Sequence, residues 1–403
     1  MTRYCLVMLL LCAATLGATP AWAASSLSAD CFRLTEAPLD RDNDKTLRKQ
    51  LDTWLETCRQ ASDADPTNTH LKVALSRAYW HAVDREASLL PLREAIAQGD
   101  TQAMLNLFND FNSFDRHLGK PDLIPRAEAE QALRRAAELG NPDAIWRLAT
   151  ILNRGGPIKH DPAAARHWGE RALANPPKAI DVGVFRVVVG HWLSQSDNAN
   201  ERKRGIALLE ALPRRGDAQA YLAEAIRQDN PVRARALLEG VRRSYPGHAL
   251  APLCDMLIKG EGGPKDEKRA LSLLRSAPND AQHPKALLGQ LMLEGRLVPR
   301  DVKTGVFLLI PWSQWDYDTR LQIVRLLAEN PEVQVGSYAD HFLYRAIEDA
   351  EMGEPGATDA LIALKLSSHV QFADKAGGCA LAERAAKAGD AVAARHVDEC
   401  RAK

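Results

Sequence analysis

Apolar residues recur along this chain at helical spacing, and the helices come in matching phrases. From Leu148 the phrase runs Ala149, Leu152, Gly155, Asp161, Ala165 and Trp168. From Leu253 it runs Cys254, Leu257, Gly260, Asp266, Ala270 and Leu273; from Leu288 it runs Gly289, Met292, Gly295, Asp301, Gly305 and Leu308. The offsets agree at every position. Leu148 and Leu152 lie one turn apart on a single helical face. The small residue after the first leucine lets a partner helix come close. The glycine stands where a helix ends in a left-handed conformation. The aspartate is a good N-cap for a second helix, with Pro162 behind it in the first copy. Looser copies start at Val188, with Trp192, Glu201, Gly205 and Leu208, and at Leu222, with Ala223, Ile226, Ala234 and Leu237.

A second phrase marks the junctions. It pairs Ala95 with Gly99-Asp100, Ala136 with Gly140-Asn141, and Ala385 with Gly389-Asp390. Each unit is therefore predicted to be a helix hairpin that cannot bury its own apolar face and is covered by its neighbours. The predicted fold is all-α, an α/α superhelical solenoid of stacked hairpins turning near 154–160, 259–265 and 294–300. Trp168 and Leu288 are expected to be buried between hairpins. The chain divides into a signal segment at 1–23, an N-terminal segment at 24–65, a repeat array at 66–312 and a less regular helical region with a capping hairpin at 313–403. Within the N-terminal segment, Leu27 to Asp44 reads as irregular and Lys45 to Ser62 as a capping helix.

These phrases resemble the Sel-one-like repeat, a longer-loop relative of the tetratricopeptide repeat. Leu253, Gly260-Glu261-Gly262, Asp266 and Arg269-Ala270 reproduce the centre of that pattern. The chain departs from it in placing leucine or methionine where the family prefers tyrosine. The resemblance implies a right-handed superhelix whose concave face holds other proteins, and it implies no reaction. Related repeat proteins suggest envelope contexts, exopolysaccharide synthesis and export or envelope regulation. An alternative by resemblance is a β-lactam hydrolase of the cysteine-rich type, but those relatives carry a disulfide in each repeat. A polysaccharide-binding module is a further alternative.

Composition narrows the field. The 403 residues carry 52 basic and 52 acidic side chains, which argues against a nucleic-acid binder. Aromatic residues make up only 6%, too few to favour an all-β domain. Arg3, the apolar run Tyr4 to Leu16 and Ala21-Trp22-Ala23 read as a cleavable secretory signal, and no later stretch is long and apolar enough to span a membrane. A periplasmic or secreted location follows.

Five of the seven cysteines remain after cleavage. Cys379 and Cys400 are equidistant from the Gly389-Asp390 turn and so stand level in an antiparallel hairpin, within disulfide reach. Cys31 and Cys58 are paired by proximity in the sequence. Cys254 sits at the small-residue core position and is expected to stay a free thiol.

Motifs that could carry chemistry are sparse. Gly260-Glu261-Gly262-Gly263-Pro264-Lys265 lacks the phosphate-loop pattern and reads as the turn between helices. Asp40-Arg41-Asp42-Asn43-Asp44 opens like a calcium loop but lacks its glycine and its final glutamate, and so reads as a cap. His160 and His167 have no metal-site spacing. No catalytic, cofactor or metal residue is assigned. The arginine pairs Arg214-Arg215 and Arg242-Arg243 are read as complementing helix C-termini. Candidate partner-binding residues are Arg147, Thr150 and Asp255, between the core leucines of the first helix of a hairpin, and Trp312, Trp315 and Tyr317, an aromatic cluster that serves as an interface or as a structural plug.

Overall fold

The computed structural model describes residues 21–39, 43–112, 123–314 and 316–401. Trp315, most of the signal segment and the Asp40-Arg41-Asp42 run lie outside them. Among the described residues there is no strand, and the chain is a succession of helices in two compact units, divided between Asp110 and Phe111.

The first unit holds α1 (Ala21–Glu36), α2 (Asp44–Ala64), α3 (Thr69–His81), α4 (Arg85–Ala97) and nearly all of α5 (Thr101–Phe111). Its core gathers Cys31, Trp54, Cys58, Leu71, Ala74 and Ala78. Cys31 is bonded to Cys58 with the Cα atoms 4.8 Å apart. Where the sequence reading expects irregular chain after Leu27, the structure has α1. Leu27, Cys31 and Leu34 are spaced four and three residues apart on one face, and that face packs on the core. Asn43 caps α2, its side chain accepting from the Thr46 amide at 3.1 Å.

In the second unit the sequence phrases become hairpins. After α6 (Arg126–Glu138), α7 (Pro142–Arg154) pairs with α8 (Pro162–Ala174), α9 (Val182–Ser194) with α10 (Ala199–Glu210), and α11 (Gly216–Ile226) with α12 (Pro231–Val241). Next come α13 (Pro246–Lys259) with α14 (Glu267–Arg275) and α15 (Gln282–Glu294) with α16 (Val302–Ser313). The turns fall where the phrase puts them. Gly260 and Gly295 end their helices in the left-handed region, while Gly155 has positive φ with extended ψ. Asp161, Asp266 and Asp301 each cap the following helix by accepting from the amide three residues on.

The close approach within a hairpin is built from small residues. A Cβ on Gly205 would stand 2.6 Å from the carbonyl oxygen of Gly190, and one on Gly289 would stand 2.8 Å from that of Gly305. Gly190 thus corresponds to Gly289, so the copy read from Val188 begins one residue later, at Val189. Val189 is fully buried, whereas Val188 is only half-buried. Leu288 is buried as expected. Trp168 is half-buried, its ring packed beside Trp192 with the Arg171 guanidinium 4.6 Å from its centroid.

First helices of successive hairpins pack along one another, α9 on α11, α11 on α13 and α13 on α15, while their second helices do so far less. The first helices therefore line the tighter, inner side of the stack. Beyond α16 lie α17 (Tyr317–Glu329), a 3-10 turn at Gly336–Tyr338, α18 (Ala339–Glu351), α19 (Ala357–Leu366), α20 (Lys375–Lys387) and α21 (Ala391–Arg401). Cys379 and Cys400 are bonded across the last hairpin with Cα atoms 5.9 Å apart, and Cys254 is a buried free thiol. The unit also touches itself across a long sequence distance. Arg126 donates to Glu351 at 2.6 Å, and the His160 amide donates to Glu354 Oε1 at 3.0 Å.

Candidate functional site on the inner helix face

With the register fixed by the glycine crossings, one position recurs on the inner face of each first helix, two residues after the core leucine or valine. It is Thr150 in α7, His191 in α9, Glu224 in α11, Asp255 in α13 and Gln290 in α15. Thr150 and Asp255 are among the sequence candidates. His191, Glu224 and Gln290 escaped the sequence reading although they share the offset, because polarity alone does not distinguish a groove from open surface.

Rings run beside this row. Trp146 stacks on Trp192 at 5.7 Å and meets Phe185 edge-on at 4.4 Å. His191 stacks on Tyr221 at 4.0 Å, and the Tyr221 hydroxyl lies 3.2 Å from His248 Nδ1. His283 stacks on Trp312 at 4.5 Å. Tyr317 is not part of this ladder, since its hydroxyl donates to the Pro355 carbonyl at 2.6 Å. The structure thus separates Trp312 from Tyr317, placing the first beside the inner row and the second as a brace to the α18–α19 connection.

The electrostatics are those of a partly dried groove. Burial lowers the pKa of His191 to about 4, helped by His248, and its Nδ1 has no hydrogen-bond partner. Burial likewise lowers His283 to about 4. Both imidazoles are neutral at physiological pH. Burial pushes the Glu224 carboxyl up to about 7 against the pull of Arg227, and the Tyr221 phenol up to about 12. Burial would also raise Asp255, but hydrogen bonds from Lys259 at 2.8 Å and Arg227 at 2.6 Å hold it below the usual carboxylate range. Arg227 also donates to Glu261. Asp255 is therefore half-buried and engaged in an ion network. Thr150 Oγ1 donates to the Arg147 carbonyl at 2.9 Å, and burial lowers the pKa of the Arg147 guanidinium.

The remaining sequence candidates have structural roles. The glycine-rich run is an inter-helix turn, with Arg235 donating to the Pro264 carbonyl at 3.0 Å. Arg242 caps the end of α12 and pairs with Glu239 at 3.0 Å. Arg215 differs from the expectation: it precedes α11, at a helix start, where Asp217 at 2.9 Å and Asp181 at 3.2 Å offset the unfavourable dipole. Among the described residues no group of His, Cys, Asp and Glu is arranged to hold a metal ion, and no helix is long and apolar enough to cross a membrane.

A stack of hairpins whose first helices present a continuous row of rings and polar groups defines a helical-repeat protein of the tetratricopeptide-like kind. The Sel1 repeat profile matches residues 142–176, 248–277 and 286–312, so the chain carries Sel1 repeats. The matched stretches include the α7–α8, α13–α14 and α15–α16 turns; the intervening copies have shorter connections. Repeats of this kind generally serve as protein-interaction scaffolds. Among solved structures, a Sel1 repeat protein from Oxalobacter formigenes is 18% identical, with 86% of this chain and 90% of that chain covered at a TM-score of 0.40. A protective antigen present in uropathogenic Escherichia coli strains, displaying an SLR fold, is 17% identical, with 92% and 78% covered at a TM-score of 0.42. No curated protein matches the chain.

Proposed function

We propose that this chain is a non-catalytic, extracytoplasmic scaffold that holds another protein against the inner face of its repeats. On this reading residues 1–23 are a secretion signal, 24–65 cap the array, 66–312 form it and 313–403 close it. The observation that carries the reading is the continuous inner row, Thr150, His191, Glu224, Asp255 and Gln290, flanked by rings from these helices and by Trp312 of α16. Two disulfides and the absence of a membrane-crossing helix among the described residues are compatible with a periplasmic or secreted location. The pathway, exopolysaccharide synthesis and export or envelope regulation, is proposed from the resemblance of the repeats. Arg147, Thr150, Asp255, Trp312 and Trp315 remain the proposed contact residues; Tyr317, the sixth sequence candidate, braces the α18–α19 connection instead. Asp255 is a poor probe, because reversing its charge also breaks its pairs with Arg227 and Lys259.

The test is site-specific photo-crosslinking in intact cells. A photoreactive residue at Thr150 or Gln290 should trap a discrete partner. The same residue at Lys203, exposed on the outer helix α10, should not. Equal trapping from both faces, or trapping from Lys203 alone, would reject the inner face as the binding surface.

A further inference from the structure

Along the inner row lies a cavity of about 300 Å³ between α11, α13 and α15, lined by Glu224, Arg227, Ala251, Pro252, Asp255, His283 and Leu287. That volume is at the lower end for a ligand pocket and suits one side chain better than a whole small molecule. We propose that this cavity receives the guanidinium of an arginine side chain carried by the partner protein. The inference deepens the scaffold reading and rests on it.

Three features of the cavity fit that occupant. The first is charge. Arg227 is already matched by Asp255 and Glu261, and Lys259 also donates to Asp255. Glu224 has only the charge of Arg227, without a hydrogen bond, to set against its burial, and no hydrogen-bond donor reaches it among the described residues. An added cation with donors in a planar fork would supply what this carboxyl lacks. The second is shape and polarity. Ala251, Pro252 and Leu287 offer an apolar wall for a methylene stem, and His283 offers a ring face held flat by its stack on Trp312. Guanidinium is weakly hydrated and stacks on rings, so it enters a half-dry groove more readily than an ammonium does. The third is that the neighbouring histidines carry no charge, which leaves the already paired Arg227 as the cation of the lining. His191 and His283 are kept neutral by burial, so neither repels the incoming charge. An acidic segment would instead meet Glu224, Asp255 and Glu261 together.

Binding carries a proton signature. The free Glu224 carboxyl titrates near 7, and a guanidinium against it favours the carboxylate. Affinity should therefore rise with pH, by about tenfold from pH 6 to pH 8, with a proton released on binding at the lower pH. The other titratable or charged groups around Glu224 are Tyr221 and Arg227 on α11, Asp255 on α13 and His283 on α15. Their contribution is separated by the Glu224→Gln variant, which should bind weakly at both pH values.

The experiment uses the full chain and four blocked pentapeptides, identical except for a central arginine, citrulline, lysine or glutamate, followed by saturation-transfer NMR and calorimetry. The arginine peptide should bind about tenfold more tightly than its neutral citrulline twin, the size expected of one charged hydrogen bond. Glu224→Gln should remove that margin and the pH dependence. Leu287→Trp, which fills the cavity but keeps every charge, should block the arginine peptide as well, with both variants checked for an unchanged melting curve. Citrulline or glutamate binding as tightly as arginine would overturn the proposal, as would a pH dependence that survives in Glu224→Gln. If crosslinking from Thr150 succeeds while arginine shows no margin, this inference falls and the scaffold reading stands. If arginine shows its margin while crosslinking fails, the cavity stands and the protein-scaffold reading falls.

Discussion

The hairpins from α9 to α16 and the stretch from α17 to α21 are both stacked helices, yet they are held together differently. In the first, contact is a matter of shape. Gly190, Gly205, Gly289 and Gly305 let backbones touch, and buried side chains of this stretch include Val189, Leu193, Leu209, Leu253, Leu291 and Leu309. The polar residues buried outright in that stretch are serines, Ser194, Ser196 and Ser313, while His191, Glu224 and His283 are partly covered. The second stretch buries Arg320, Glu348, Asp349, Glu354 and His369. Arg320 donates to both Asp349 oxygens, one at 2.9 Å, and to the Ser313 carbonyl. His369 Nε2 meets the Val333 carbonyl at 2.8 Å. A repeated unit can be packed by one rule, because every neighbour is alike. Where the repeat ends the neighbours differ, and specific polar partners fix the arrangement instead.

Mutation should separate the two regimes, and the largest effect belongs to the buried pair. Arg320→Ala leaves Asp349 without its counter-charge in the interior, and chemical denaturation should show a loss of about 3–5 kcal/mol. Replacing both Arg320 and Asp349 by apolar residues of similar size should recover most of that loss, since neither charge is then stranded. A double replacement as damaging as Arg320→Ala would mean that geometry, not charge burial, dominates there.

Next comes the shape regime. Gly205→Ala puts a methyl group against the Gly190 carbonyl and the α9 backbone, and should cost about 1–3 kcal/mol, the range for an overpacked contact. The same substitution at Gly240, near the end of α12 with nothing within 4 Å of the new atom, should stabilise the protein by up to about 1 kcal/mol through helix propensity. Equal effects at the two glycines would remove the distinction between a crossing point and an ordinary helical site.

The smallest effect is electrostatic and returns to the C-terminal stretch. His396 joins α21 to α19 through Asp359 at 2.9 Å and also meets Glu399 at 3.1 Å. Burial alone would lower its pKa, but the two carboxylates outweigh burial and raise it. A raised folded pKa means that the stabilisation is complete below the ordinary histidine value and is lost as pH climbs through the raised one. Thermal melts should therefore show a slightly lower stability above neutral pH than at pH 6, and His396→Gln should flatten the difference.

The contrast also explains what could be read in advance. Leu253, Gly260, Asp266 and Ala270 carry the fold openly because each is a local device, a face, a stop, a cap and a contact, and the three copies check one another. The cysteine pair across the last hairpin was legible for the same reason, since a turn fixes the height of both its arms. Arg320 was not. In the sequence it follows Asp316-Tyr317-Asp318-Thr319 and looks like the solvated face of a helix, and its partner lies 29 residues away. The inner row stands between these cases. The offset of Thr150, Glu224, Asp255 and Gln290 is legible in the sequence, but His191 joins them only with the α9 register set by its glycine crossing, and Glu224 becomes unusual only when α13 and α15 wall it in. The α1 helix is hard to read because Leu27, Cys31 and Leu34 are separated by Ser28, Ala29, Asp30 and Arg33 and accompanied by Phe32 off their face, and they gain their meaning only against α2 and α3.

The bonds from Arg126 to Glu351 and from the His160 amide to Glu354 have a further consequence. They join places 225 and 194 residues apart in the chain. A simple stack knows only nearest neighbours, so its stability is a sum along a line and either terminus can peel without informing the other. A chord drawn across that line changes the arithmetic. The entropy of closing so long a loop grows only logarithmically with its length, so the tie is cheap relative to the span it covers. Melting at α18 then frees the α6 end and the turn before α8 from these two contacts, which couples the far hairpins of this unit to each other. Within the second unit, unlike in a row of dominoes, a disturbance at one place is felt at the other end of the chord.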